Sequence, residues 1–174
     1  MDKIVIIRPE SGLQFDWKSI AENPSGNHKP FVDLLAYKST YINSIAQARA
    51  RGQEPILVSL PIMDEDRFFA FITRGMTTEE RMNILFWLGG KTARLRNIHE
   101  MYNLTLFRLA AQQCVHIVDI TSPMLSFTHY DELLEPDGIS LSPAGEKMIN
   151  DACFSLRSRE PYAAARAAFL QDVA

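Results

Sequence analysis

Three short apolar runs constrain this chain more than any other feature: residues 3–7 (KIVII), 55–60 (PILVSL) and 115–120 (VHIVDI). Each is rich in β-branched residues, too short for a buried helix, and closed by polar or turn-forming residues such as Arg8-Pro9-Glu10 and Pro61. Continuous runs of this kind predict strands covered on both faces. Between them the pattern changes to helical spacing. Phe31, Leu34, Leu35, Tyr41, Ile42 and Ile45 recur at three- and four-residue steps, so a helix is expected from Pro30 to the stop at Gly52. Thr77 and Glu80 form a capping box before a helix reaching Trp87, and a long helix is expected over 92–113 with Ile98, Met101, Tyr102, Thr105 and Leu109 on its inner face. Residues 13–29 read as loop with room for one helical turn, and 63–75 as a short helix or lid. A polar loop follows the third strand, and Ser142 with Pro143 opens a last helix whose apolar face carries Met148, Ile149, Ala152, Cys153 and Leu156.

The order β-α-β-α-α-β-α implies a three-layer α/β domain of flavodoxin-like type, with a mainly parallel sheet of about three recognisable strands and helices on both faces. The whole chain, 1–174, is expected to be one such domain, with 160–174 as a helical tail. Ligands in such folds bind beyond the carboxyl ends of the strands. That rule selects residues 8–11, 59–61, 119–122 and the loop reaching Ser140. A three-stranded sheet leaves two open edges, so a homodimer is an expectation.

The net charge of −3 and the lack of a Lys/Arg run argue against a nucleic-acid face. No apolar stretch approaches a membrane span, and the N-terminal run is too short for a signal-peptide core, which makes a cytoplasmic location the expectation. Cys114 and Cys153 lie in apolar surroundings outside any C-x-x-C pair and read as two reduced core thiols. Asp64, Glu65 and Asp66 read as a solvated acidic loop, so no metal and no cofactor is expected.

Several segments together carry a resemblance: GQEPILVSLPI, RNIHEMYNLTLFRLAAQQ, VHIVDITSPML and DGISLSPAGEKMI. Their order and spacing over residues 30–156 resemble the SGNH (GDSL-type) hydrolases. In that family a strand ending in Pro precedes an insert, a helix with a Tyr-Asn pair leads to a strand ending in Asp, and a D-x-x-H loop opens the last helix. The resemblance implies serine-based hydrolysis of esters, acetylated sugars or lipids, with an oxyanion hole completed by a Gly and an Asn.

The chain departs from that pattern where the chemistry resides. Asp137 matches the family's Asp, but Ser140 stands at the His position, and a serine hydroxyl cannot act as general base near neutral pH. Ser11 follows the first strand, yet Pro9 and Glu10 stand where the family has Gly and Asp. The alternative alignment makes KIVII the family's third strand and leaves the nucleophile unit out. Ser-Gly-Asn-His at 25–28 is a polar turn whose letters coincide with the family's name.

The candidate residues are therefore Ser11 as nucleophile, His129 or His28 as base, Asp137 and Ser140 on the acid–base loop, and Gly12, Asn27, Ser59 and Asp119 as oxyanion or pocket positions. His99 on a helix and His116 in a strand read as structural. Phe68, Phe69 and Phe71 could line an acyl pocket, pack in the core or form a subunit contact. The leading expectation is an SGNH-like domain, catalytically impaired or inactive, that binds a small acylated ligand or assembles with a partner. The alternatives are an esterase with a rearranged triad, and a split esterase whose Ser unit lies elsewhere.

Overall fold

A computed structural model describes residues 4–157 of the chain. The helical tail expected over 160–174 lies outside the described residues.

Strands β1 (Ile4–Ile7), β2 (Glu54–Val58) and β3 (His116–Val118) form one parallel sheet in the order β1-β2-β3. Ile4 sits opposite Glu54, and Ile56 opposite His116. The second and third strands are shorter than their apolar runs for a physical reason. Past Val58 and Val118 the backbone turns from the ladder to side-chain partners. Leu60 N–H donates to Asn103 Oδ1 at 2.9 Å, and Ile120 N–H donates to Ser59 Oγ at 2.9 Å.

Helices α1 (Trp17–Glu22) and α2 (Leu34–Ala50) join β1 to β2. Helices α3 (Glu65–Ile72), α4 (Thr78–Trp87) and α5 (Ala93–Gln113) join β2 to β3. Helix α6 (Thr121–Ser126), a 3-10 turn (Tyr130–Leu133) and α7 (Pro143–Arg157) follow β3. Side chains alternate across β2. Leu57 packs with Ile45 of α2 and Leu109 of α5 on one face, while Ile56 and Val58 meet Ile149 and Cys153 of α7 on the other. The three layers are those the sequence implies. A sequential strand order with crossovers of one hand puts both crossover helices on one face and leaves the other to α7.

Four local expectations need correction. Helix α2 begins at Leu34 rather than Pro30, because Asp33 Oδ1 accepts the Ala36 N–H at 2.8 Å and fixes the cap there. Phe31 and Leu35 consequently point outward, 69% and 75% exposed, and Tyr37, Ile45 and Ala48 are the buried positions. Helix α5 buries Leu95, His99, Tyr102, Leu106 and Leu109, a face rotated from the one through Ile98 and Met101. The segment after β3 is not open loop throughout, since it contains α6 and the 3-10 turn. Cys114 is exposed, not a core thiol. It ends α5 in the left-handed conformation at φ 50°, outside the apolar face, whereas Cys153 is buried.

Both caps read from the sequence are present. Glu80 Oε2 accepts the Thr77 N–H at 2.7 Å, and Ser142 Oγ accepts the Gly145 N–H at 3.2 Å. Among the described residues no helix is long and apolar enough to cross a membrane.

Candidate functional site

The loop after β1 is held at Arg8, Glu10 and Gly12. Arg8 Nη2 donates to both carboxylate oxygens of Glu146 on α7, at 3.1 and 2.9 Å. Tyr37 O–H donates to the Glu10 carbonyl at 3.1 Å, and Glu10 N–H donates to the Tyr41 hydroxyl at 3.1 Å. Gly12 lies flat against the Tyr102 ring, where a Cβ would stand 2.1 Å from Cε1. The Tyr37 ring packs edge-on against both Tyr41 and Tyr102, with centroids 4.9 Å apart in each pair. Ser11 is thus fixed by its neighbours on both sides.

Ser11 Oγ lies 3.0 Å from His99 Nδ1, and His99 Nε2 lies 2.8 Å from the Pro61 carbonyl oxygen. A carbonyl only accepts, so Nε2 carries the ring hydrogen and Nδ1 is left to accept the Ser11 hydroxyl hydrogen. Leu13 N–H also donates to Ser11 Oγ, at 3.2 Å. His99 is 1% exposed. Burial pushes its pKa down, and the opposing influence of the Pro61 carbonyl and the Glu100 charge does not reverse this. The imidazole is therefore neutral near pH 7, the form that can accept a proton.

The pair opens onto a cleft of about 730 Å³. Its apolar lining comes from Leu13, Phe15, Trp17, Phe68, Phe71 and Ile72, together with Ile139 and Leu141. Ring packing orders the aromatic lining: Phe15 and Trp17 are tilted to one another with centroids 5.3 Å apart, and Trp17 and Phe68 meet edge-on at 6.3 Å. Of the three phenylalanines singled out in the sequence, Phe68 and Phe71 line the cleft, and Phe69 packs against the apolar cluster of α1, α3 and α4.

The structure brings Ser11 and Ser140 to the same cleft, keeps Gly12 and Asp137 beside them, and sets His28, His129, Asn27, Ser59 and Asp119 outside its lining. Asp137 Oδ2 accepts the Ser140 hydroxyl at 2.6 Å, and Oδ1 accepts the N–H groups of Ile139 and Ser140 at 3.0 and 2.8 Å. Partial burial raises the Asp137 pKa, but these bonds, led by that of the Ser140 hydroxyl, and the Arg67 charge outweigh it and hold the carboxyl below its ordinary range. Asp137 organises its loop and faces no imidazole.

Neither expected base is the partner of Ser11. His28 Nε2 donates to the Asn23 carbonyl at 2.6 Å and lines a second cleft of about 460 Å³ beside Trp87. His129 is exposed at the start of the 3-10 turn. Asn27 is exposed in the loop before α2. Ser59 is buried, not a pocket residue: its hydroxyl accepts the Ile120 and Thr121 N–H groups at 2.9 and 3.2 Å and meets Thr121 Oγ1 at 2.9 Å. Asp119 accepts the Ser122 N–H at 3.0 Å in the turn that starts α6. His116 sits in β3.

The acidic segment is engaged locally. Asp64 caps α3, Glu65 pairs with Arg96 at 3.0 Å, and Asp66 accepts the Thr92 hydroxyl at 2.6 Å. Among the described residues no group of three or more His, Cys, Asp or Glu could hold a metal ion.

His99 is the residue that sequence reading missed. Its signal was there: with Asn103 it is a polar residue on the stripe running through Leu95, Tyr102, Leu106 and Leu109. A helix that buries a titratable side chain needs a partner for it, and Ser11 and Pro61 are those partners.

No family model matches the chain, and no curated protein does. Among solved structures it is similar to the lipase/acylhydrolase from Enterococcus faecalis, with 15% identity and a TM-score of 0.47 over 87% of this chain. The chain spans 58% of that protein's length.

Proposed function

We propose that the cleft binds a small acylated molecule and that Ser11, with His99 as its base, hydrolyses the ester slowly. The domain is then an SGNH-like hydrolase with impaired catalysis. The observation that supports this most is the continuous chain from Ser11 Oγ through the His99 ring to the Pro61 carbonyl, at 3.0 and 2.8 Å. The resemblance of residues 30–156 to that family is consistent with it.

In this reading Ser11 Oγ attacks the ester carbonyl carbon while its proton passes to His99 Nδ1. The leaving alkoxide takes that proton as the acyl–oxygen bond breaks. Water then repeats the sequence on the acyl-Ser11 ester, losing a proton to His99 and regenerating the Ser11 hydroxyl. Slowness follows from two features. A carbonyl stands behind the imidazole where a triad has a carboxylate, and deep burial opposes the imidazolium. Impairing the orienting carboxylate of a serine-protease triad lowers kcat by a factor on the order of 10⁴.

The burial of His99, 1% exposed, favours a second reading in which the same cleft only binds. Turnover of p-nitrophenyl butyrate and intact mass after fluorophosphonate treatment separate the two. The hydrolase reading expects slow turnover lost in Ser11→Ala, and one phosphonyl group on Ser11. Equal rates in both proteins, with no adduct on Ser11, would leave a binding domain.

A further inference from the structure

We propose that the molecule recognised by this cleft carries a cationic amine, of the quaternary-ammonium ester class. Among the described residues Glu10 is the only Asp, Glu, Lys or Arg lining the cleft, and it directly precedes Ser11. Its backbone is pinned on both sides by the Tyr37 and Tyr41 hydroxyls, which fixes where along the cleft its exposed side chain starts. Among the described residues it forms no ion pair. Arg8, the nearest cation along the chain, is committed to Glu146 at 2.9 Å.

The cleft that Glu10 lines is rich in aromatic rings. Phe31 and Phe71, 69% and 47% exposed, and the half-buried Trp17 are among its lining residues. Ring faces attract alkylammonium ions without requiring hydrogen-bond donors, and one acidic group among them adds charge complementarity. A carboxylate- or phosphate-bearing ligand would meet only the Glu10 charge, and nothing in the lining would offset it. A neutral ester could fill the apolar lining but would draw nothing from the Glu10 charge.

The inference rests on the ester reading for the acyl half of the ligand alone. The cationic half stands on Glu10 and the rings. The test therefore measures binding without turnover. In the Ser11→Ala protein, affinity for butyrylcholine is compared by calorimetry with affinity for 3,3-dimethylbutyl butyrate, its neutral isostere. The expected result is about a tenfold preference for the cation, reduced to about threefold or less in Glu10→Gln. Phe71→Leu is expected to weaken the cation more than the neutral ester. Equal affinity for the two esters, or no binding of either at millimolar concentration, would overturn the inference. Equal affinities in Ser11→Ala, with turnover of either ester by wild type, would overturn it and leave the hydrolase reading standing. A cation preference in Ser11→Ala without wild-type turnover would sustain it and remove the hydrolase reading.

Discussion

Tyr37 reaches the candidate nucleophile without touching it. Its hydroxyl satisfies the Glu10 carbonyl, and its ring holds Tyr41 and Tyr102 in place. Burial raises the phenol well above its usual range, so it remains a donor at any physiological pH. Tyr37→Phe keeps the ring and removes one hydrogen bond, at a stability cost of about 1 kcal/mol. If the hydroxyl positions Ser11, fluorophosphonate labelling of Ser11 should slow severalfold while the urea midpoint moves little. An unchanged labelling rate would make the tyrosine packing alone. His99 gives a prediction in pH. Its folded pKa lies below the ordinary 6.5. As pH falls through about 6.5 the unfolded chain takes up the proton first, so stability declines until the lowered folded value is reached. Wild type should lose more of its urea midpoint between pH 7 and pH 5 than His99→Gln does. The acid limb of any turnover should lie below pH 6.5 for the same reason.

At the level of elements, α3 is tied to the loop that closes the cleft. Arg67 donates to the carbonyls of Asp131 and Glu135 at 2.9 Å each, and to Leu134 at 3.4 Å, while Asp64 N–H donates to the Gly138 carbonyl at 2.8 Å. Gly138 has φ +74°, and a Cβ there would stand 2.6 Å from Asp64 O, so the turn and the helix meet backbone to backbone. Arg67→Met should retain much of the packing and lose the charged donor, destabilising the fold by about 1–3 kcal/mol in urea melts. A change within 0.5 kcal/mol, about the size expected of an ordinary surface substitution, would show that the clamp contributes little. None of this was legible in the sequence, because long-range bonds to backbone carbonyls leave no residue pattern. The strands and caps were legible, since β-branched runs, Pro and capping Ser, Thr and Glu act through local geometry. The inner face of α5 was misread for a related reason. Counting apolar residues favours Ile98 and Met101, whereas the helix turns polar His99 and Asn103 inward to partners brought from β1 and β2. The candidate site was half legible. Strand-end reasoning found Ser11 and Ser140, while their partners required the folded chain.

For the whole molecule, the parallel sheet gathers the loop after β1, the Pro61 turn and the loop before α7 around one cleft. That convergence puts Ser140 on the lining already containing Ser11, with Asp137 2.6 Å from its hydroxyl. An imidazole introduced by Ser140→His would stand beside a carboxylate that already accepts the local N–H groups, as the D-x-x-H arrangement requires. It would also be less buried than His99, because position 140 is exposed, and so could take up a proton at lower cost. If Ser11 occupies the nucleophile's place, Ser140→His should raise p-nitrophenyl butyrate turnover at least about tenfold, since a positioned base contributes on the order of 10²–10⁴. Adding Asp137→Asn should remove most of that gain by depriving the new ring of its orienting carboxylate. A rate unchanged by Ser140→His, in a protein whose Ser11 still accepts the fluorophosphonate, would mean that Ser11 reacts only through His99. The acid–base loop would then serve to build α7 and the cleft wall, with no latent triad to restore.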